Sequence, residues 1–150
     1  MPQSLSAIYL HAVFSTKHRT PYLLDIDTRT RMHHYIGGIV NKLGCQSLIV
    51  GGVEDHVHIL FRHSRTETVA KVIGAIKSNS SAWAKTEAGL RGFEWQAGYG
   101  VFSVGMREFE VERHYIERQE EHHKKVSFQD ELRNLLQEHG MEYDEKYVCD

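Results

Sequence analysis

Apolar and polar residues change period several times along the 150-residue chain, and each change marks an element. Leu5 to Ser15 is rich in strand formers and predicts a first strand. Asp25 is placed to cap a helix running to about Leu43, because Met32, Ile36, Ile39, Val40 and Leu43 recur at helical spacing and Gly44 is a stop signal. Cys45 to Val53 is apolar and predicts a second strand, with turn or bulge chemistry at Gly51-Gly52 and Glu54-Asp55. His56 to Phe61 alternates as the returning strand of a hairpin. A second helix is expected from about Thr66, a capping residue, with Val69, Val72, Ile73, Ile76, Ser80 and Trp83 inward and Gly89 and Gly92 at its end. Tyr99 to Val104 predicts a short strand, Arg107 to about Lys125 a third helix, and Phe128 to His139 a last one stopped by Gly140.

This order predicts an α+β fold: a ferredoxin-like β-α-β-β-α-β antiparallel sheet with helices on one face, followed by C-terminal helices. The length fits one domain over residues 1–150. Hydrophobic residues make up 41% and charged residues 25%, the balance of a soluble globular protein. Cys45 and Cys149 fit no zinc spacing and are expected as free thiols in a reducing compartment. No apolar run reaches a membrane span, and MPQSLSAIYLHAVF lacks the form of a signal peptide, so a cytoplasmic location is expected. Net charge is −2, whereas phosphate binders usually carry a basic excess. The charge is unevenly spread, with Lys17, Arg19, Arg62, Lys71, Lys77 and Lys85 in the first two thirds and glutamates crowding the last.

Within Asp55-His56-Val57-His58-Ile59-Leu60-Phe61, residues two apart share a strand face. Val57, Ile59 and Phe61 are expected to pack on the helices. His56 and His58 then project from the opposite face, where their replacement should cost little stability. Two imidazoles side by side on a strand chelate a divalent metal, or are simply two polar residues facing water. In His114-Tyr115-Ile116-Glu117-Arg118-Gln119, helical spacing brings Tyr115 and Gln119 together as a phenol nucleophile beside a neutral amide ligand, or as a half-buried packing tyrosine with a solvated glutamine. Residues 93–105 mix aromatics with glycines, so Trp95 and Tyr99 are candidates for stacking on unpaired bases, although core packing is the commoner role of such residues and is expected for Phe102. Lys77, Ser78, Ser80 and Ser81 are candidates for phosphate contact from the second helix, or plain helix surface. Glu54 and Asp55 form a turn or orient a histidine.

Taken together, HAVFSTKHR at 11–19, DHVHIL at 55–60, IKSNSS at 76–81, FEWQAGYGVFSV at 93–104 and YIERQEEHH at 115–123 resemble the HUH superfamily. More closely, they resemble the single-tyrosine transposases of bacterial single-strand, peel-and-paste insertion sequences, relatives of the REP-associated tyrosine transposases. The resemblance spans about residues 5–125, a catalytic core, and leaves 126–150 as a helical tail. It implies Tyr115 as nucleophile, and His56, His58 and Gln119 as ligands of Mg²⁺ or Mn²⁺. It further implies cleavage and rejoining of single-stranded DNA through a 5′-phosphotyrosine link and recognition of hairpins at element ends. The partners it implies are hairpin DNA and a second copy of the chain, a homodimer with composite sites; Gly105, between the last strand and the tyrosine helix, is placed to act as a hinge for such an exchange, and a site within one chain fits as well. The setting it implies is a bacterial or archaeal nucleoid. Two other readings fit the same residues: a non-catalytic ferredoxin-like metal- or nucleic-acid-binding module, and a domesticated nuclease of repeat hairpins.

Overall fold

Strands and helices follow one another as their side-chain periods require: β1 (Ile8–Ser15), α1 (Ile26–Lys42), β2 (Gln46–Gly52), β3 (His56–His63), α2 (Val69–Thr86), β4 (Gly100–Val104), α3 (Phe109–Glu117), α4 (Gln119–His122) and α5 (Phe128–Glu138). The computed structural model describes residues 3–145, and Cys149 lies outside them. The four strands form one antiparallel sheet in the order β2-β3-β1-β4, the split β-α-β topology expected. Among the described residues no helix is long and apolar enough to cross a membrane.

Local chemistry sets the helix ends. The Asp25 carboxylate accepts from the Thr28 N–H at 3.0 Å, and Ser127 accepts from the Asp130 N–H at 3.2 Å, so each satisfies an orphan donor of a first turn. The cap of α2 is Thr68 rather than the expected Thr66: its hydroxyl accepts from the Lys71 N–H at 3.1 Å, while Thr66 pairs with Ser64 in the preceding turn.

On one face of the sheet, Phe14, Val57, Ile59 and Phe61 meet Met32, Ile36 and Val40 of α1 and Val72, Ile73 and Ile76 of α2, all buried. Each such side chain contributes about 1.5–3 kcal/mol by leaving water. The C-terminal helices are no tail: they cover the other face. Phe128, Leu132, Leu135 and Leu136 of α5 pack on Val13 and Phe102, and Ile116 of α3 packs with Leu60 and Val104. The third helix is shorter than the expected span from Arg107 to Lys125. It breaks at Arg118 (φ −101°, ψ 24°), and the kink leaves Gln119 buried and Glu120 paired with Arg29 at 2.8 Å. Gly51 lets α3 sit directly on β2, since a Cβ there would lie 2.5 Å from the Ile116 carbonyl oxygen.

Candidate metal and tyrosine site

The alternation of β3 sends His56 and His58 to the face opposite Val57, Ile59 and Phe61, and the antiparallel register sets them beside Ser15 and Val13 of β1. The expected open face is instead closed. Both histidines are 0% exposed, because α5 lies over them with the Phe128 ring 4.6 Å from that of His56.

Each imidazole is held at its Nδ1 so that its Nε2 faces one point. His56 Nδ1 donates to Asp55 Oδ1 at 2.7 Å, so Asp55 orients a histidine as well as forming the turn. His58 Nδ1 lies 2.7 Å from Nε2 of His11 on β1. On the far side, one oxygen of Glu131 from α5 lies 2.8 Å from His58 Nε2 and 3.5 Å from His56 Nε2. The other Glu131 oxygen accepts the Tyr115 hydroxyl, the Gln119 amide at 3.3 Å and His123 Nε2 at 3.1 Å. Gln119 Oε1 is 3.2 Å from His56 Nε2, and the Tyr115 ring centroid is 5.6 Å from that of His58. One chain thus brings the histidine pair, the glutamine and the tyrosine together without a second subunit.

Burial and charge set the protonation states. Burial drives His58 down to about 3, against the opposing pull of Glu131, so the imidazole is neutral. Burial pushes the Glu131 carboxyl up, but the histidines around it, with hydrogen bonds from His123 and His58, outweigh it and hold it below the usual carboxylate range. Burial and then the Glu131 charge push the Tyr115 phenol above its ordinary value, which keeps it protonated. His123 is raised, burial being outweighed by its hydrogen bond to Glu131 and that charge.

The donor set suits a divalent ion. Donor atoms of His56, His58, His123 and Glu131 lie within 4.8 Å of one another, and Gln119 adds an amide oxygen at the same place. The Nδ1 partner of His56, the Asp55 carboxylate, is of the kind that orients metal-binding imidazoles.

Sequence patterns alone did not single out Glu131, His123 or His11. Glu131 leaves one trace, an acid on the otherwise apolar stripe Phe128, Leu132, Leu135, Leu136. His11 and His123 stand in the quoted segments, but only the sheet register and the packing of α5 reveal their partners.

The candidate DNA-contacting residues separate. Trp95 belongs to the core: it is 8% exposed, edge-on to Phe14 and Phe93 at 4.8 Å each, and its Nε1 donates to Ser80 at 2.9 Å, so it offers no stacking face. The ammonium of Lys77 binds the carbonyls of Gln96 at 2.8 Å and Gly98 at 2.6 Å, and burial lowers it to about 8; it closes a loop. Ser78 is exposed and Ser81 half-buried on α2, across the sheet from the histidines. Lys17 is exposed and paired with Glu94 at 3.0 Å, Arg62 is exposed and donates to the Ser6 carbonyl, and Arg19 is half-buried in a left-handed turn (φ 55°). Tyr99 is 43% exposed, with the Lys77 ammonium over its ring 5.6 Å from the centroid. Basic groups also appear where the sequence looked acidic: a cavity of about 400 Å³ beside Tyr115 is lined by His114, Arg118, His122 and Lys125, with Glu121.

Comparison with known proteins agrees with this geometry. Residues 4–119 match the family model described as transposase IS200 like. Among solved structures, a Deinococcus radiodurans R1 protein provisionally described as a transposase superposes with a TM-score of 0.60 at 20% identity, covering 79% of this chain and 98% of that one. A REP-associated tyrosine transposase bound to a REP hairpin superposes with a TM-score of 0.61 at 13% identity, covering 84% and 74%. At these identities the superpositions speak for the shared fold. No curated protein sequence matches. The family match spans most of the chain, including β1, β3 and the tyrosine helix: the chain belongs to the IS200-like transposase family.

Proposed function

We propose that this transposase nicks and rejoins single-stranded DNA through a 5′-phosphotyrosine link on Tyr115, beside Mg²⁺ or Mn²⁺ held by His56, His58 and Gln119. The observation that carries the reading is the convergence of both Nε2 atoms, the Gln119 amide and the Tyr115 phenol on one buried point. A bound divalent ion polarises the scissile phosphate and steadies the departing 3′ oxygen. Asp55 and His11 keep the imidazoles aimed. The Tyr115 oxygen forms a bond to phosphorus as the bond to the 3′ oxygen breaks. The phenol gives up its proton and the 3′ oxygen takes one up. The phosphotyrosine keeps the energy of the broken bond, so a second 3′ hydroxyl can reverse the step on a new strand without ATP.

Flanking phosphates are expected along the cavity bearing Arg118, Lys125, His114 and His122, with Lys17, Arg19 and Arg62 as further contacts and Tyr99 as a stacking platform. The fold neighbour bound to a REP hairpin supports a hairpin as ligand. The protein is further proposed to act as a homodimer. Mixing Tyr115→Phe with the His56→Ala, His58→Ala double variant tests sharing of sites: restored cleavage means a tyrosine working across the dimer, and none, with exchange confirmed, means a tyrosine working within its own chain. Labelled hairpin DNA incubated with Mn²⁺ tests the chemistry on a denaturing gel. A metal-dependent protein–DNA band from single-stranded substrate is expected. Absence of any band, or equal reaction with blunt duplex, contradicts the proposal.

A further inference from the structure

We propose that Glu131 is itself a ligand of the metal centre, and that the bound ion thereby fastens α5 over the site. The proposal rests on the metal reading above. Glu131 is 2% exposed and stands on the buried stripe of α5, where Phe128, Leu132, Leu135 and Leu136 are apolar. An acid buried there is costly unless it is paired or binds a cation. Its Oε1 already faces both imidazole nitrogens aimed at the site, at 2.8 and 3.5 Å. Ligands ~2.1 Å from an octahedral ion stand roughly 3–4 Å from one another, and the donor atoms here lie within 4.8 Å.

The chemistry favours the carboxylate. Mg²⁺ and Mn²⁺ are hard ions that prefer charged oxygen. Two imidazoles and a neutral amide supply no negative charge, and Glu131 supplies it. The residue also lies outside the family match, which ends at Gln119, and arrives on a separately capped helix. The leucines hold α5 to Val13 and Phe102 with or without metal. The ion adds a bond from α5 to β3 at its most buried point, so docking of α5 reports metal occupancy. A cavity of about 200 Å³ between α3 and α5, lined by Tyr115, Glu131, Glu112, His122 and Asn134, leaves an approach to the tyrosine while α5 is docked.

The test combines Mn²⁺ titration calorimetry on the wild type, Glu131→Gln and the His56→Ala, His58→Ala double variant with hydrogen exchange across residues 128–138. Glu131→Gln is expected to weaken Mn²⁺ at least tenfold, the double histidine variant to lose it, and Mn²⁺ to slow exchange in α5 of the wild type but not of Glu131→Gln. Undiminished or tighter Mn²⁺ binding by Glu131→Gln, with the histidine variant inactive in binding, overturns this inference alone. So does faster α5 exchange on adding Mn²⁺ to the wild type, which would mean that the ion expels the carboxylate; that arm decides the matter even if Glu131→Gln does not fold. A wild type that binds no Mn²⁺, or a histidine variant that binds it normally, overturns the metal reading and this inference with it.

Discussion

The two faces of strand β3 are built on opposite principles. Val57, Ile59 and Phe61 enter a close-packed apolar core under α1 and α2. His56 and His58, from the intervening positions, enter an equally buried but polar network under α3 and α5. The apolar face is held by area removed from water, which is additive, directionless and indifferent to pH. The polar face is held by mutual satisfaction, so removing one member strands the others. One strand therefore carries a rigid foundation on one side and aims two imidazoles into a polar network on the other.

The largest expected effect breaks the foundation. Phe61→Ala should cost about 3–5 kcal/mol in urea unfolding, through lost burial and the cavity left behind. On the polar face, His58→Ala should cost about 2–4 kcal/mol by removing the 2.8 Å partner of the buried Glu131 Oε1. The paired replacement His58→Leu with Glu131→Leu should cost still more and remain inactive, because it also strands the Tyr115 hydroxyl, the Gln119 amide and His123. If it is more stable than the single variant, the polar face is not held by satisfaction.

Acid sharpens the contrast. His58 is depressed by burial to about 3 from an ordinary 6.5, so the unfolded chain binds the extra proton first. Its contribution is complete above pH 6.5 and is lost as pH falls toward 3. Glu131, also depressed, adds a loss below the ordinary carboxylate value of 4.5. His123 is raised and works in the opposite sense, gaining as pH falls through its folded value and opposing the other two. Melting temperature should therefore fall between pH 6.5 and 3, and the paired leucine variant should flatten that limb. Phe61→Ala should lower the whole profile without changing its shape.

The smallest pair of effects separates two aromatics near β4. Trp95→Phe should cost about 1 kcal/mol of stability through the lost bond to Ser80 and leave DNA affinity unchanged. Tyr99→Ala should leave stability within about 0.5 kcal/mol and weaken single-strand binding by about 1–3 kcal/mol in a filter or anisotropy titration.

The apolar face was legible in the sequence because its information is local: period two in β3, helical stripes in α1 and α2, and caps at their ends. The residues of the polar face were visible one at a time, but their roles depend on contacts across 47 residues for His11 with His58 and 73 for His58 with Glu131. No periodicity encodes those distances. For the same reason the histidines looked solvent-facing, since nothing local says that α5 returns to cover them. Trp95 was ambiguous because an aromatic among glycines suits a core or a stacking platform equally well. The break at Arg118 was hidden because the residues from Arg107 to Lys125 include neither glycine nor proline.

The central claim is that Tyr115 becomes covalently joined to DNA, and peptide mapping tests it most directly. The wild type and Tyr115→Phe are incubated with Mn²⁺ and a pool of single-stranded hairpin DNAs, digested, and analysed by mass spectrometry. A nucleotide-bearing peptide modified at Tyr115 in the wild type, and none in a Tyr115→Phe protein that still binds the DNA, is the predicted result. An adduct mapped to another residue, or formed at wild-type yield by Tyr115→Phe, would contradict the account.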